Sequence, residues 1–153
     1  MNRLFYIFIS LIIVACFQAC THNNGDIGPF FGTWKVTEIT IDSHSDESYK
    51  GNMFWAFQTS VINMRTVDTA TNLSNDESWG SWEEDGDTLR LFFTHTDDSN
   101  PSQGSHKYTP LPASHLPAGV SDLSIISISA SDMKLEYSDP NGTVYGYSLK
   151  KWW

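Results

Sequence analysis

Cysteine is nearly missing from this chain. There are two in 153 residues, Cys16 and Cys20, both within the first 20 positions. Everything beyond Cys20 must therefore fold without a disulfide, and a Cys16–Cys20 bridge would close only a small local loop. A structural zinc site takes about four N, S or O ligands, and His22 is the one histidine close to the pair. Basic residues are scarce as well: 9 Lys+Arg stand against 18 Asp+Glu, a formal charge of −9. Such a surface repels phosphate backbones, which argues against nucleic acid as a partner, and it offers no polybasic patch to anionic lipid. The sequence lacks a Gly-rich phosphate loop and a G-x-S-x-G elbow. Its five histidines (His22, His44, His95, His106, His115) are dispersed without zinc-ligand spacing, and "HTDD" at His95–Asp98 reads as solvated turn formers rather than a cation site. Glu83, Glu84, Asp85 and Asp87 surround a turn and read as a charged hairpin tip, not as the paired carboxylates of a glycosidase. The expectation is a domain with no metal, no cofactor and no catalytic residues.

Long apolar runs are also few. The one that stands out is Leu4–Val14, broken only by Ser10, preceded by Arg3 and followed by small residues and Cys. That is the plan of a secretory signal. At about 11 residues the run is too short to span a bilayer as a helix, which needs about 20, and it has no polar face to show water as a folded helix would. The segment resembles a bacterial lipobox, in which small or aliphatic residues precede an acylated cysteine. Two registers fit, Ile13-Val14-Ala15-Cys16 and Phe17-Gln18-Ala19-Cys20. The second gives a signal of ordinary length and is followed at once by the polar stretch Thr21–Asp26. The resemblance implies cleavage after residue 19 and lipidation, palmitate among the acyl chains, at Cys20, with Cys16 as the alternative. It implies an exported protein anchored by lipid to the bacterial cell envelope, most simply the outer membrane, on its periplasmic or surface face. One acyl chain binds a membrane marginally and several bind it firmly. Residues 20–29, rich in Gly, Asn and Asp, then read as a flexible tether, and 30–153 as one domain.

Within that domain the apolar pattern alternates, and no convincing helical period extends over about 11 residues. Thr33–Asp42 is rich in β-branched residues. Met53–Gln58 and Val61–Asp68 flank Thr59-Ser60 as a hairpin. Ser74–Glu84 and Asp87–His95 flank Asp85-Gly86, a primed-turn signal. Leu123–Ser129, Met133–Tyr137 and Thr143–Lys151 follow, the last two separated by the turn "DPNG". Thr96–Gly119 carries four prolines and no strand pattern, with room for one helical turn near Ala113–Leu116. Seven or eight strands with short turns predict an all-β fold: an antiparallel up-and-down β-barrel of about eight strands, or alternatively a β-sandwich.

The motif "FFGTWKV" at the first strand resembles the Gly-x-Trp signature of lipocalins, with Gly32 and Trp34 on its key positions. "GSWEEDGDTLRLFF" (Gly80–Phe93) and the ending "YGYSLKKWW" look like the later hairpin and last strand of small lipocalin-like lipoproteins of Gram-negative bacteria. The resemblance spans roughly residues 20–153 and implies a lipocalin-like barrel whose Trp34 closes one end. Family members place a late Arg over that Trp; here the late cations are Lys150 and Lys151, and no C-terminal helix is evident.

Six Trp, six Tyr and nine Phe supply ample core. Alternation places Met53, Trp55 and Phe57 on one face. With Trp34, Trp82, Leu91, Phe93, Leu135, Tyr137, Tyr147 and Leu149 they are the candidate barrel lining. Two functions follow. In one, the lining encloses a pocket for a small hydrophobic or amphipathic molecule, with Thr96–Gly119 as its lid. In the other, the barrel is solid and the domain engages a protein or glycan through loops or exposed Trp79, Trp152 and Trp153. The triplets "DTA" (Asp68–Ala70) and "DTL" (Asp87–Leu89) resemble O-glycosylation acceptors of exported Gram-negative proteins, Thr69 being the better placed.

Overall fold

Alternating side chains and short turns produce nine β-strands and no α-helix among the described residues, 28–95 and 108–152, of a computed structural model. The strands are β1 (Gly32–Ile41), β2 (His44–Ser45), β3 (Met53–Gln58), β4 (Val61–Val67), β5 (Ser74–Asp85), β6 (Thr88–Phe93), β7 (Gly119–Ile128), β8 (Asp132–Ser138) and β9 (Val144–Lys151). Each predicted strand is present within a few residues. The largest difference is at β7, which starts four residues before the predicted Leu123, because Gly119 and the outward Asp122 hide the alternation of Ser121 and Leu123. The β5–β6 turn is Gly86-Asp87, and Gly86 supplies its positive φ of 59°. The two-residue β2 is folded back on the end of β1 and was not predicted.

Every neighbouring pair is antiparallel, and β9 returns to pair with β1 from Trp34↔Lys151 to Ile41↔Tyr145. This last ladder closes the sheet into an eight-stranded barrel with β2 as an extra strand, which rules out the sandwich. Closure requires β1 to serve three partners. It pairs with β3 over Gly32–Lys35, bulges between Val36 and Glu38, and pairs with β2 at its far end. Where β1 and β3 part, the Tyr49 hydroxyl fills the gap: it donates to the Val36 carbonyl at 2.7 Å and accepts from the Met53 N–H at 3.2 Å. Burial pushes that phenol up to about 12.

The register places Trp34, Val36, Met53, Trp55, Phe57, Ile62, Met64, Leu89, Leu91, Leu123, Met133, Leu135, Tyr147 and Leu149 on the inner face, each buried. A fully buried Trp such as Trp34 or Trp55 removes about 150–250 Å² from water, worth roughly 4–6 kcal/mol before entropy is counted. One compact unit runs from Phe31 to Trp153, with its ladders formed among its own strands; the other, Met1–Phe30, lies almost wholly outside the described residues.

Candidate functional site

The two ends of the barrel are built differently. At one end the strands are joined by the short turns Thr59-Ser60, Gly86-Asp87 and Ser129–Ser131. Here Trp34, fully buried, closes the barrel. Lys151 is its register partner on β9 and holds its ammonium 4.3 Å from the centre of the Trp34 ring, while donating to the Phe31 carbonyl. A lysine thus occupies the place where the family pattern has arginine, and burial pulls its pKa below the usual value. Phe57 and Trp82 meet edge to face at 5.3 Å next to this seal, and Trp82 Nε1 donates to the Gln58 carbonyl at 3.3 Å.

At the other end the connections are longer, and the described part of the predicted lid, residues 108–118, packs across them. Its predicted helical turn is a 3-10 turn, Pro112–Ser114. Leu111, Ser114 and Leu116 are buried, and Tyr147 reaches up from β9 to donate to the Ser114 carbonyl at 2.7 Å. His115, in the left-handed region at φ 57°, stacks on Tyr145 at 5.1 Å and places Nε2 2.9 Å from Asp46 Oδ2. Asp46 also accepts from the Ser48 hydroxyl and N–H. The Ser48 hydroxyl first, and then His115, hold its carboxyl below the usual carboxylate range. Burial raises the Tyr147 phenol far above its usual value, so it remains a donor at any physiological pH.

All eleven candidate lining residues face the interior. Trp34, Phe57 and Trp82 belong to the sealed end. Trp55 packs on Tyr147 at 5.3 Å; Leu91, Leu135 and Phe93 continue the lining; Tyr137 stacks on Tyr145 at 6.2 Å near the loop end. Trp82 is half-buried and the other ten are buried. Sequence reasoning missed the polar members. Ser78 on β5 and Ser121 on β7 are buried and inward-facing. The signal was present, since Ser78 is in phase with Gly80 and Trp82, and Ser121 with Leu123. Gly80 lets β6 approach: a Cβ there would lie 2.6 Å from the Phe92 carbonyl and 3.0 Å from the Phe93 ring.

Two surface concavities share the Asp46–Lys50 segment. One of about 350 Å³ lies at the loop end between Tyr49, Lys50, Asn52, Asp76 and His115, and one of about 600 Å³ lies beside Thr37, Glu38 and Ser45. The acidic hairpin tip is exposed, as expected. Glu83 lies 3.3 Å from Arg90, whose guanidinium is bidentate on Asp122 at 2.6 and 3.0 Å. No group of three or more His, Cys, Asp or Glu among the described residues is arranged to hold a metal, and no helix among them is long and apolar enough to cross a membrane. Thr69 is exposed in the β4–β5 turn; Cys16, Cys20 and the Thr96–Lys107 part of the lid lie outside the described residues.

A closed eight-stranded antiparallel barrel, sealed by a Trp from its first strand under a cation from its last, defines a barrel of the ligand-binding type. The chain belongs to the lipocalin-like domain family, whose model matches residues 14–141. Its fold is similar to that of a lipocalin-like protein from Bacteroides uniformis, at 13% identity and a TM-score of 0.56, over 82% of this chain and 100% of that one. An uncharacterized protein from Bacteroides eggerthii is similar to the same degree, at 13% identity and a TM-score of 0.56, over 80% and 99% of the two chains. No curated protein matches it in sequence.

Proposed function

We propose that the protein is a non-catalytic lipoprotein of the bacterial cell envelope, acylated at Cys20, whose barrel holds a small amphipathic molecule beneath the 108–118 segment. The carrying observation is the inequality of the two ends. The sealed end is aromatic packing and tight turns, whereas the loop end is covered by a segment held through a few polar contacts of Tyr147, His115 and Asp46. A lid of that kind can open without dismantling the barrel. The lipobox-like segment and the tether after it support the anchoring. The chain from Cys20 onward, with Cys20→Ser, is the material for native mass spectrometry and for titration with phenylnaphthylamine, a neutral fluorescent probe. Retained small-molecule mass or saturable probe uptake supports the reading, and a clean apo mass with no uptake overturns it. Palmitate label entering wild type and Cys16→Ala but not Cys20→Ala supports the anchor, and the reverse pattern moves it to Cys16.

A second reading, a solid barrel that engages a protein or glycan, draws on the outer face. There Lys35 lies over Trp152, Trp152 packs edge-on against Phe54 at 5.3 Å, and Arg65 lies over the Phe54 ring. Trp152 is exposed, as are Val120 and Ile126 on β7. Failure of probe uptake together with capture of a glycan lost in Trp152→Ala would favour it.

A further inference from the structure

Three polar side-chain atoms inside the barrel have no hydrogen-bond partner: Trp55 Nε1, Ser78 Oγ and Ser121 Oγ. Their residues are 0%, 0% and 1% exposed, so bulk solvent does not reach them. Buried polar groups are nearly always paired, and each orphan costs about 1–3 kcal/mol.

The register puts all three on the inner wall of the barrel. Trp55 is opposite Met64, and Met64 is opposite Ser78, so Trp55 and Ser78 stand in one cross-strand row two strands apart, about 10 Å along the wall. Ser121 is on β7, four strands from β3 and hence across the eight-stranded barrel. All three stand back from the sealed end. On β5, Gly80 and Trp82 intervene between Ser78 and the turn; on β7, Leu123 and Ile125 intervene between Ser121 and the turn; on β3, Phe57 lies beyond Trp55. The orphans therefore face the half of the interior beneath the lid, above a floor of Trp34, Phe57 and Leu89.

The charge along this wall selects the ligand. Among the described inward-facing residues the one cation is Lys151, which is engaged at the sealed end by Trp34 and the Phe31 carbonyl. At the loop end Asp46 and Asp76 are acidic, His115 is engaged by Asp46 at 2.9 Å, and Lys50 is exposed on the rim. A carboxylate brought down to the serines would find no free counter-charge among the described inward-facing residues, at a cost of several kcal/mol. Trp Nε1 can only donate, and Ser donates and accepts. Resting on the carrier reading above, we infer that the barrel takes a neutral molecule head first. Its carbonyl or hydroxyl oxygen accepts from Trp55 Nε1 between Ser78 and Ser121, and its apolar body runs toward Leu111 and Leu116 of the lid. The class is an amide, ester, ketone or alcohol of medium chain length, and not a fatty-acid anion.

The test is displacement of phenylnaphthylamine from the Cys20→Ser chain by octanamide, octanol and octanoate, repeated in Ser78→Ala, Ser121→Ala and their double variant. These changes remove one oxygen each and keep the volume small, and circular dichroism checks the fold. Octanamide and octanol should displace the probe at least about tenfold better than octanoate, and the double variant should lose about tenfold for octanamide, as two hydrogen bonds imply. Trp55→Phe should lower octanamide affinity while the probe still binds. If the probe binds but octanoate competes equally and the serine variants change nothing, the orphans hold only buried water and this inference falls while the carrier reading stands. If the probe does not bind and nothing displaces it, the carrier reading falls and takes the inference with it.

Discussion

The sealed end and the loop end of this barrel use the same residue types for opposite purposes. At the sealed end aromatic rings and a lysine are locked together: Trp34 is fully buried, Lys151 covers its face, and Phe57 meets Trp82 edge to face. At the loop end two tyrosines and a histidine hold the 108–118 segment by one hydrogen bond, one stacked pair and one Asp–His contact. Aromatic area holds the first end together, and a few polar contacts tie down the covering segment at the second; under the carrier reading proposed above those contacts are a latch. Loss of a packing residue should therefore be felt by the whole domain, and loss of a latch residue by the lid alone.

The largest expected effect breaks the seal. Trp34→Ala should cost about 3–5 kcal/mol in urea unfolding, since it leaves a cavity at the barrel floor. A loss below about 1 kcal/mol would show that the seal does not support the fold. Next is Gly80→Ala, whose Cβ would collide with the Phe92 carbonyl and press on Phe93. A cost of about 1–3 kcal/mol is expected, again seen as global destabilisation. Tyr147→Phe removes one donor and leaves the Ser114 carbonyl without it. Its cost should be about 1 kcal/mol, concentrated in the lid: hydrogen exchange and protease cutting at 108–118 should quicken while the strand amides keep their protection. Equal changes in lid and strands would erase the distinction between the ends.

The smallest effect is in pH. The Asp46 carboxyl is held low by Ser48 and then by His115. A carboxyl depressed in the folded state adds stability that is fully present above its unfolded pKa of about 3.9 and is lost as pH falls through the folded value. Protease nicking at 112–116 should therefore rise as pH falls below about 4 in wild type, whereas Asp46→Asn should show the raised rate already at neutral pH and little further change. A flat wild-type profile would remove Asp46 from the latch.

Much of this fold is legible in the sequence. The alternation in "DTLRLFF" and "DMKLEY" places Leu89, Leu91, Phe93, Met133, Leu135 and Tyr137 inward, and Gly32–Trp34 marks the first strand. Closure is not legible in that way, because the β1–β9 ladder joins segments more than 100 residues apart and no local pattern encodes it. The bulge at Val36–Glu38 shifts phase without a glycine or proline to announce it. The lining was read as apolar because hydrophobic residues define the alternation, so Ser78 and Ser121 passed as gaps although they keep the phase. The latch was hidden for another reason: Asp46, His115 and Tyr145 are far apart in the chain and share no motif. What sets Ser78 and Ser121 apart is their lack of partners, and that is visible only once the barrel has closed.

The most direct test of the account is an NMR titration of the Cys20→Ser chain with octanamide, following the backbone amides and the indole N–H signals. The account predicts a saturable shift of the Trp55 indole N–H, with shifts at Ser78, Ser121 and the amides of 108–118, while the Trp34 indole and Lys151 stay in place. Shifts confined to the sealed end or to the outer Phe54–Trp152 face, with Trp55 unmoved, would contradict it.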